Sequence, residues 1–174
     1  ARADAAGVKI AGFFQRDASE HAMQNSEGLI ARSRSTSASY TVTARTADDS
    51  GSGWAGREDW RIAELEEELL AATAIDKATR SANPKPIAPG KYTVILEPQA
   101  VAEMLSFMVN EMDQRSVDEG RSFFAGKLGQ RIFADFVSLR SDPADSLTPS
   151  APYDDEGFPL TTFPWIVEGR VNKL

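Results

Sequence analysis

The spacing of apolar residues changes along this chain from every second residue to every third or fourth. Tyr40, Val42 and Ala44 alternate with threonines, which is the period of a half-buried β-strand. Between residues 62 and 81 the spacing becomes that of an amphipathic helix. The apolar stripe of this predicted helix consists of Ile62, Leu65, Leu69 and Ala72. A change of period within one chain predicts strands followed by helices, so the expected fold class is α+β.

The first third of the chain is rich in β-forming residues and in turn signals. Asn25-Ser26-Glu27-Gly28 is a favourable turn sequence between two short apolar runs. Three or four antiparallel strands are therefore predicted. They are expected at Val8–Gln15, His21–Asn25, Leu29–Ser33 and Tyr40–Ala44.

Two main helices are predicted to pack on an antiparallel or mixed sheet. The first runs from Ile62 to Ser81 and ends before Asn83-Pro84-Lys85-Pro86. The second starts at Pro98 or Gln99 and ends near Asp113. Its stripe is Val101, Met104, Leu105, Met108 and Met112. Methionines at helical spacing beside Val and Leu favour a core face or a deformable contact surface over a cofactor site.

Two further strands and a hairpin are predicted in the rest of the chain. The apolar run Tyr92–Leu96 predicts a central strand, and Ile132–Leu139 predicts another. A hairpin with its turn at Glu168-Gly169 is expected after the Pro/Asp/Ser-rich loop 141–159. The Gly/Ser-rich stretch 47–56 predicts a loop and a hinge. We therefore divide the chain into a β-rich segment, residues 1–56, and an α+β segment, residues 57–174.

Composition excludes several classes of function. Nineteen Lys and Arg against 26 Asp and Glu give a net charge of −7 over 174 residues, which disfavours contact with nucleic acid. The chain has no cysteine and one histidine. This excludes disulfides, Cys-ligated zinc and any metal site that needs two imidazoles from this chain. No apolar run approaches the roughly 20 residues of a membrane helix, so we expect no membrane partner and a cytoplasmic location.

Two glycine-rich stretches resemble phosphate-binding motifs but lack their context. Gly51–Gly56 matches G-x-G-x-x-G, yet the strand–turn–helix setting of a dinucleotide site is missing. We interpret it as a flexible loop. Gly120–Lys127 has five residues between its glycines and Leu128 after the lysine, so it is not a P-loop. His21 has no neighbour that would form a catalytic triad and is expected to be a surface or packed residue.

The acidic cluster near the C-terminus is the most suggestive polar group. Asp154, Asp155 and Glu156 precede Gly157, and three adjacent carboxylates cannot all converge on one calcium ion, which prefers ligands at alternate positions. Turn chemistry alone favours an acidic turn closed by the glycine. Attraction of a basic peptide remains open.

An ordered series of short motifs resembles the TldD/PmbA family of peptidase-related proteins. The matching pieces are Asn25–Gly28, Pro89–Pro98, Ser122–Gly129, Asp142-Pro143, Tyr153–Pro159 and Ile166–Gly169. They correspond to the middle portion of a family member. The resemblance implies that catalytic relatives carry His-Glu-x-x-x-His on the helix after the Val-Ile-Leu strand, where two imidazoles hold zinc and the glutamate works on the bound water.

This sequence departs from that zinc motif at every position. An ungapped match places Ser106, Phe107 and Glu111 where the family has His, Glu and His. These are degenerate metal positions, so the resemblance implies no catalytic residue, no metal and no cofactor in this segment. The pattern resembles the PmbA or TldE-like branch, whose members accompany a catalytic TldD-type paralogue and enclose a cavity for peptides.

The resemblance also assigns candidate peptide-groove residues. They are Arg121, Ser122, Asp154, Asp155, Glu156 and Gly157. The predicted function is therefore a non-catalytic member of a TldD/PmbA-type metallopeptidase system that forms part of a peptide-binding cavity or a subunit interface. Expected partners are a TldD-like paralogue, a second copy of the chain, and peptides.

Two alternatives stay open. The chain could belong to an active metallopeptidase whose ligands lie outside it. It could instead be a pure protein-interaction module, since an older label of the family concerns modulation of DNA gyrase. With a net charge of −7, any effect on DNA would be indirect.

Overall fold

The chain folds into two compact units, each with its own core. The structure is a computed structural model that describes residues 2–174, and at Arg2 the backbone alone. Unit 1 comprises residues 1–88 and 143–160, and unit 2 comprises residues 89–142 and 161–174. Both units contain an antiparallel sheet of three strands, so the α+β fold class is confirmed. The sequence-based division at residue 56 rests on composition and stays a prediction.

Unit 1 is built on a long antiparallel sheet in the order β1-β2-β3. After the short helix α1 (Arg2–Ala5), β1 (Val8–Gln24) and β2 (Ile30–Thr46) pair along their whole length. β3 (Ser52–Asp59) pairs with residues 38–45 of β2. Residues 16–37 therefore extend beyond β3 as a two-stranded segment, which we call the ribbon.

The predicted turn at residues 25–28 is confirmed, but the strands around it are longer than expected. The Asn25 side chain accepts hydrogen bonds from the backbone N–H groups of Glu27 and Leu29, each at 3.0 Å. Residues 16–20, which have no apolar alternation, complete β1 because each pairs with a residue of β2. Backbone hydrogen bonds, which do not depend on side-chain pattern, extend the strand there.

The predicted loop and hinge at residues 47–56 is wrong over its second half. Ser52–Gly56 belong to β3, directly hydrogen-bonded to β2. Gly51 and Gly53 lie against the backbone of helix α2 (Glu67–Arg80). The small residues therefore allow close packing of a helix on a strand, a role that composition does not distinguish from flexibility.

The first main helix begins later than predicted and buries a different face. Residues 62–64 form a 3₁₀ turn, and Glu66 has a left-handed φ of 50°, so the α-helix starts at Glu67. Its buried residues are Ala74 and Ala78. Of the predicted stripe Leu65 is buried, whereas Ile62 and Leu69 are exposed. The break at Glu66 changes the phase of the helix, which moves Leu69 away from the core.

The core of unit 1 lies between α2 and the sheet. Its fully buried members are alanines and valines, which suits a close approach of helix and strands, and Tyr40, Leu70 and Ile75 pack against them. Its buried members are Val8, Val42, Ala44, Ala55, Ala74 and Ala78.

Unit 2 contains two helices and a small sheet. The helices are α3 (Pro98–Asn110) and α4 (Gln114–Asp118), and the strands are β4 (Leu139–Ser141), β5 (Phe163–Val167) and β6 (Arg170–Val171). The core is formed by Met112, Phe124, Ile166 and Val171. The predicted hairpin is confirmed, with positive φ at both Glu168 and Gly169 in its turn, as a two-residue type I′ turn requires.

Two predicted strands of unit 2 are wrong. Tyr92–Leu96 has no strand partner among the described residues, and Ile95 is 99% exposed. Residues 132–138 are irregular, and β4 starts only at Leu139. Ile132 and Phe133 instead donate their N–H groups to the carbonyl of Gly169. An apolar run predicts burial, but a strand also needs a neighbouring strand to pair with.

Helix α3 forms where it was predicted, with Pro98 at its first turn. None of its residues is fully buried. The predicted stripe contacts the core only towards its C-terminal end, where Met108 is half-buried and Met112, just after the helix, is buried. Met104 is exposed.

Candidate functional site

The three degenerate metal positions lie at the C-terminal half of α3. The Ser106 hydroxyl donates to the carbonyl oxygen of Glu103 at 2.7 Å, one turn earlier in the same helix. The Phe107 ring is 76% exposed and carries no donor atom for a metal. Glu111 caps the helix. The structure thus places the three residues at one end of α3, and their match to the zinc motif stays a prediction.

Glu111 is used to hold the next segment of the chain. Its carbonyl oxygen accepts the Ser122 hydroxyl, and its carboxylate accepts the backbone N–H of Phe123 at 3.4 Å. The Ser122 Oγ in turn accepts the N–H of Phe124 at 2.9 Å. Phe124 is fully buried in the core. These bonds join the end of α3 to the Ser-Phe-Phe segment.

The residues that the ungapped sequence match assigns to the zinc motif therefore do not fit a zinc ion. The Ser106 hydroxyl and the Glu111 carboxylate already form hydrogen bonds, and the Phe107 side chain is a hydrocarbon. Zinc in proteins is held by imidazole, thiolate and carboxylate groups. Across residues 2–174, no three His, Cys, Asp or Glu side chains come together as a metal-binding group.

Arg121 and Ser122, both in unit 2, have different environments. The Arg121 guanidinium pairs with the Glu119 carboxylate, with Nε at 2.8 Å, and the side chain is largely exposed. Ser122 is only 7% exposed and is engaged as described above. Arg121 can reach a ligand, whereas the Ser122 hydroxyl acts on the backbone of its own unit.

The acidic cluster, in unit 1, forms a tight turn. The Asp154 carboxylate accepts the N–H groups of Glu156 and Phe158, at 3.0 and 2.9 Å. Gly157 closes the turn with a φ of 88°. Asp155 and Glu156 are exposed. The turn prediction is therefore confirmed, and only two of its three carboxylates face solvent.

This acidic turn, residues 153–159, sits on the tip of the ribbon. The Tyr153 hydroxyl lies 3.3 Å from the carbonyl oxygen of His21 and 3.3 Å from the Ser33 hydroxyl. A Cβ on Gly157 would lie 2.3 Å from Leu29 Cδ2. A two-stranded ribbon alone is marginally stable in water, so these contacts help to hold it.

His21 is exposed, so the expectation of a surface residue is confirmed. Its ring lies 6.2 Å from the Tyr153 ring. The sequence analysis included Tyr153 in the matching piece Tyr153–Pro159 but did not assign it a role in the site.

Trp60 is a residue that the sequence analysis missed. Its indole N–H donates to the Ser146 carbonyl oxygen at 2.9 Å, and its own carbonyl accepts the Thr36 hydroxyl at 2.7 Å. The following Arg61 hydrogen-bonds the Asp59 carboxylate at 3.2 Å, which lowers the pKa of Asp59 and raises the pKa of Arg61. The sequence signal that could have identified Trp60 is its place between two charged residues, Asp59 and Arg61.

The Gly51–Gly56 motif is not a phosphate site. It lies within and before β3 rather than at a turn between a strand and a helix N-terminus. The space over Gly51 and Gly53 is filled by the α2 backbone. The rejection of a dinucleotide fingerprint is confirmed by this context.

Comparison with known families identifies both halves of the chain. Residues 1–82 match the PmbA/TldA metallopeptidase central domain, and residues 89–174 match the PmbA/TldA metallopeptidase C-terminal domain. The chain belongs to the PmbA/TldD family. The resemblance found in the sequence motifs is thereby confirmed.

Individual proteins and solved structures are also similar to this PmbA/TldD family chain. A metalloprotease of Methanocaldococcus jannaschii is 32% identical over 90 residues, which are 51% of this chain and 20% of that protein. The structure of a candidate modulator of DNA gyrase from Thermotoga maritima has a TM-score of 0.87 at 22% identity, over 94% of this chain and 39% of that one. The structure of TldE from Thermococcus kodakarensis has a TM-score of 0.79 at 20% identity, and the match covers 99% of this chain and 40% of that one. At these identities the structural likeness shows the fold.

The chain thus spans between 20% and 40% of the length of these relatives. Among the described residues, no helix has the length and apolar character needed to cross a bilayer.

Proposed function

We propose that this PmbA/TldD family chain is part of a non-catalytic, TldE-like member that works beside a catalytic, zinc-bearing paralogue in the cytoplasm. The observation that carries the proposal is the chemistry of Ser106, Phe107 and Glu111. No side chain there offers a free zinc ligand at the geometry of the motif, and Glu111 is committed to the Ser122–Phe124 segment. Because the Glu111 carboxylate anchors this segment, it is not available to bind zinc or to take part in hydrolysis.

The uncovered apolar surface of unit 2 supports a role in an interface. Val94, Ile95, Met104 and Phe107 are all exposed. An excess of exposed large apolar side chains is typical of a surface that another element covers. In the proposed assembly, a paralogous subunit or a second copy of this chain contributes that element.

The exposed charges of the acidic turn and of Arg121 support peptide binding. Asp155 and Glu156 project from a turn that Asp154, Tyr153 and Gly157 fix in place. Two carboxylates on a rigid turn attract a basic or N-terminal amino group. We assign Asp155 and Glu156 as peptide contacts, Asp154 and Gly157 as positioning residues, and Arg121 as a contact to a peptide carbonyl or carboxylate.

Co-purification with metal analysis tests the absence of catalysis. The chain, tagged and isolated from its source cells, is expected to carry no tightly bound zinc. It is expected to bring down a family paralogue with an intact His-Glu-x-x-x-His motif. Stoichiometric zinc on the isolated chain, with peptidase activity lost on chelation, would refute the proposal.

Charge removal tests the peptide contacts separately. Asp155→Asn with Glu156→Gln is expected to weaken binding of a basic peptide to the assembly without lowering the melting temperature. The matched control is Glu58→Gln with Glu67→Gln, which removes two exposed charges elsewhere in unit 1. Equal weakening by both pairs would indicate only a general effect of net charge.

An active metallopeptidase is the second candidate. The name of the Methanocaldococcus relative, a metalloprotease, favours it. Its zinc ligands would have to lie outside residues 1–174. The full reading frame decides this: a His, Cys and Glu cluster beyond these residues, followed by zinc binding of the full-length protein, would replace the first proposal.

A further inference from the structure

A cavity of about 610 Å³ lies within unit 1, between the ribbon and the segment that follows β3. Its lining includes Ala18 and Thr36 of the ribbon, Ala38 of β2 next to the ribbon, and Trp60 and Ile62 of the segment. The volume is within the roughly 300–1,000 Å³ of small-ligand sites. None of the peptide-groove residues of the proposed function lines it.

The wall opposite the ribbon is fixed by hydrogen bonds. Trp60 is held at both ends, by the Ser146 carbonyl on its indole and by the Thr36 hydroxyl on its backbone. The Arg61 guanidinium lies 4.8 Å from the centre of the indole ring. A tryptophan held in this way presents a preformed apolar surface, which lowers the entropic cost of binding a ligand.

The charges around the cavity leave one cation without a partner. Asp59 is paired with Arg61, and Arg61 also lies 3.6 Å from Glu64. Arg16, which lines the cavity, has no ion pair within the described part of the chain. Asp17 also lines the cavity, but the alternation of side chains along β1 directs its carboxylate to the opposite face of the sheet from Arg16.

We propose that this cavity binds a ligand with an apolar body and a carboxylate. The body lies between Trp60, Ile62 and the two alanines, and the carboxylate pairs with Arg16. A guanidinium matches a carboxylate through two parallel hydrogen bonds. The C-terminal residue of a peptide and a free aromatic or aliphatic acid both have this chemistry. The site is separate from the proposed function and does not depend on it.

Titration calorimetry of the full chain with two acids and their amides tests the site. The probes are 3-phenylpropionate and N-acetyl-leucyl-phenylalanine, each compared with its carboxamide. Each acid that binds is expected to bind about tenfold more tightly than its amide, as one charge-assisted pair provides. Preference for the dipeptide identifies a peptide C-terminus as the source, and preference for phenylpropionate identifies a free acid.

Two substitutions separate the two parts of the site. Arg16→Gln is expected to weaken acid binding about tenfold and to leave the amides unchanged. Ala18→Trp, at an exposed strand position, is expected to fill the cavity and abolish binding of acids and amides. Arg45→Gln, an exposed arginine of β2 outside the cavity, is the matched control and is expected to bind like the unmodified chain.

The proposal fails if neither acid binds to the folded chain, or if acids and amides bind equally. It also fails if Arg45→Gln weakens binding as much as Arg16→Gln does. Circular dichroism on each variant establishes that the chain is folded. Because the probes are small and the chain is alone, these outcomes are independent of any paralogue or zinc content.

Discussion

Gly53 of β3 lies so close to Ala74 of α2 that a Cβ on the glycine would be 2.1 Å from the Ala74 carbonyl oxygen. The same Cβ would be 2.5 Å from the backbone nitrogen of Ala78. Strand and helix therefore meet backbone to backbone at this point. The contact explains why this helix buries alanines and why a glycine-rich sequence occupies a regular strand.

Gly53→Ala is expected to destabilise the chain by about 1–3 kcal/mol, because α2 must move away from the sheet. The measurement is the free energy of unfolding in urea. Gly90→Ala is the matched control, since a Cβ there meets nothing nearer than 3.5 Å. A Gly53→Ala chain as stable as the Gly90→Ala chain would mean that the helix does not pack this closely.

Leu65→Ala and Leu69→Ala test the change of phase at Glu66. Leu65 is fully buried, and its truncation is expected to cost about 2–5 kcal/mol. Leu69 is 57% exposed, so its truncation is expected to stay within about 0.5 kcal/mol. Equal losses of stability in the thermal unfolding of the two variants would show that both leucines are buried, as the continuous apolar stripe of the sequence predicts.

Met112→Ala and Met104→Ala test which part of the methionine series is core. Met112 is buried against Phe124 and Ile166, so we expect a loss of about 2–5 kcal/mol. Met104 is exposed in unit 2, and its truncation is expected to leave the free energy of unfolding of the isolated chain nearly unchanged. In the proposed assembly, Met104→Ala is instead expected to weaken subunit association. A large stability loss from Met104→Ala in the isolated chain would contradict its exposure.

Tyr153→Phe removes the hydroxyl that joins the acidic turn to the ribbon tip. The two contacts at 3.3 Å are long, so the expected loss is about 0.5 kcal/mol. The more sensitive measurement is amide hydrogen exchange, which is expected to accelerate at Gly157 and Phe158. Tyr40→Phe, in β2, serves as the control. Unchanged exchange at both amides would show that the hydroxyl does not hold the turn.

Asp113→Asn tests the acid sensitivity of α4. The Asp113 carboxylate accepts the Ser116 N–H at 2.8 Å, and this bond lowers the pKa of Asp113 below its ordinary value of 3.8. Because the folded pKa is the lower one, the stabilisation is present above that value and is lost as the pH falls through the folded pKa. Asparagine accepts the same bond at every pH.

The drop in melting temperature between pH about 7 and about 3 is therefore expected to be smaller in Asp113→Asn than in the unmodified chain. Asp48 and Asp59, whose pKa values are also lowered, keep part of the acid sensitivity in both. Asp155→Asn is the control, because Asp155 is exposed on its turn. An identical drop in all three chains would refute the capping role.

The sequence by itself determined the features that depend on local chemistry. The turns at Asn25–Gly28 and Glu168-Gly169, the acidic turn at Gly157 and the start of α3 at Pro98 all follow from backbone preferences of single residues. The motif order likewise determined the family, whereas the assignment of residues 106, 107 and 111 to the zinc-motif positions rests on an ungapped match and stays a prediction.

Only the tertiary structure decided where apolar residues are covered and which polar groups are used. Tyr92–Leu96 has the composition of a central strand but finds no pairing strand in the described chain, while residues 16–20 lack that composition and are paired. Similarly, Glu111 anchors Ser122, and Trp60 and Arg16 line one cavity, through contacts between residues distant in sequence. Periodicity specifies which face of an element is apolar, but the partner that buries it is set by the packing of the whole chain.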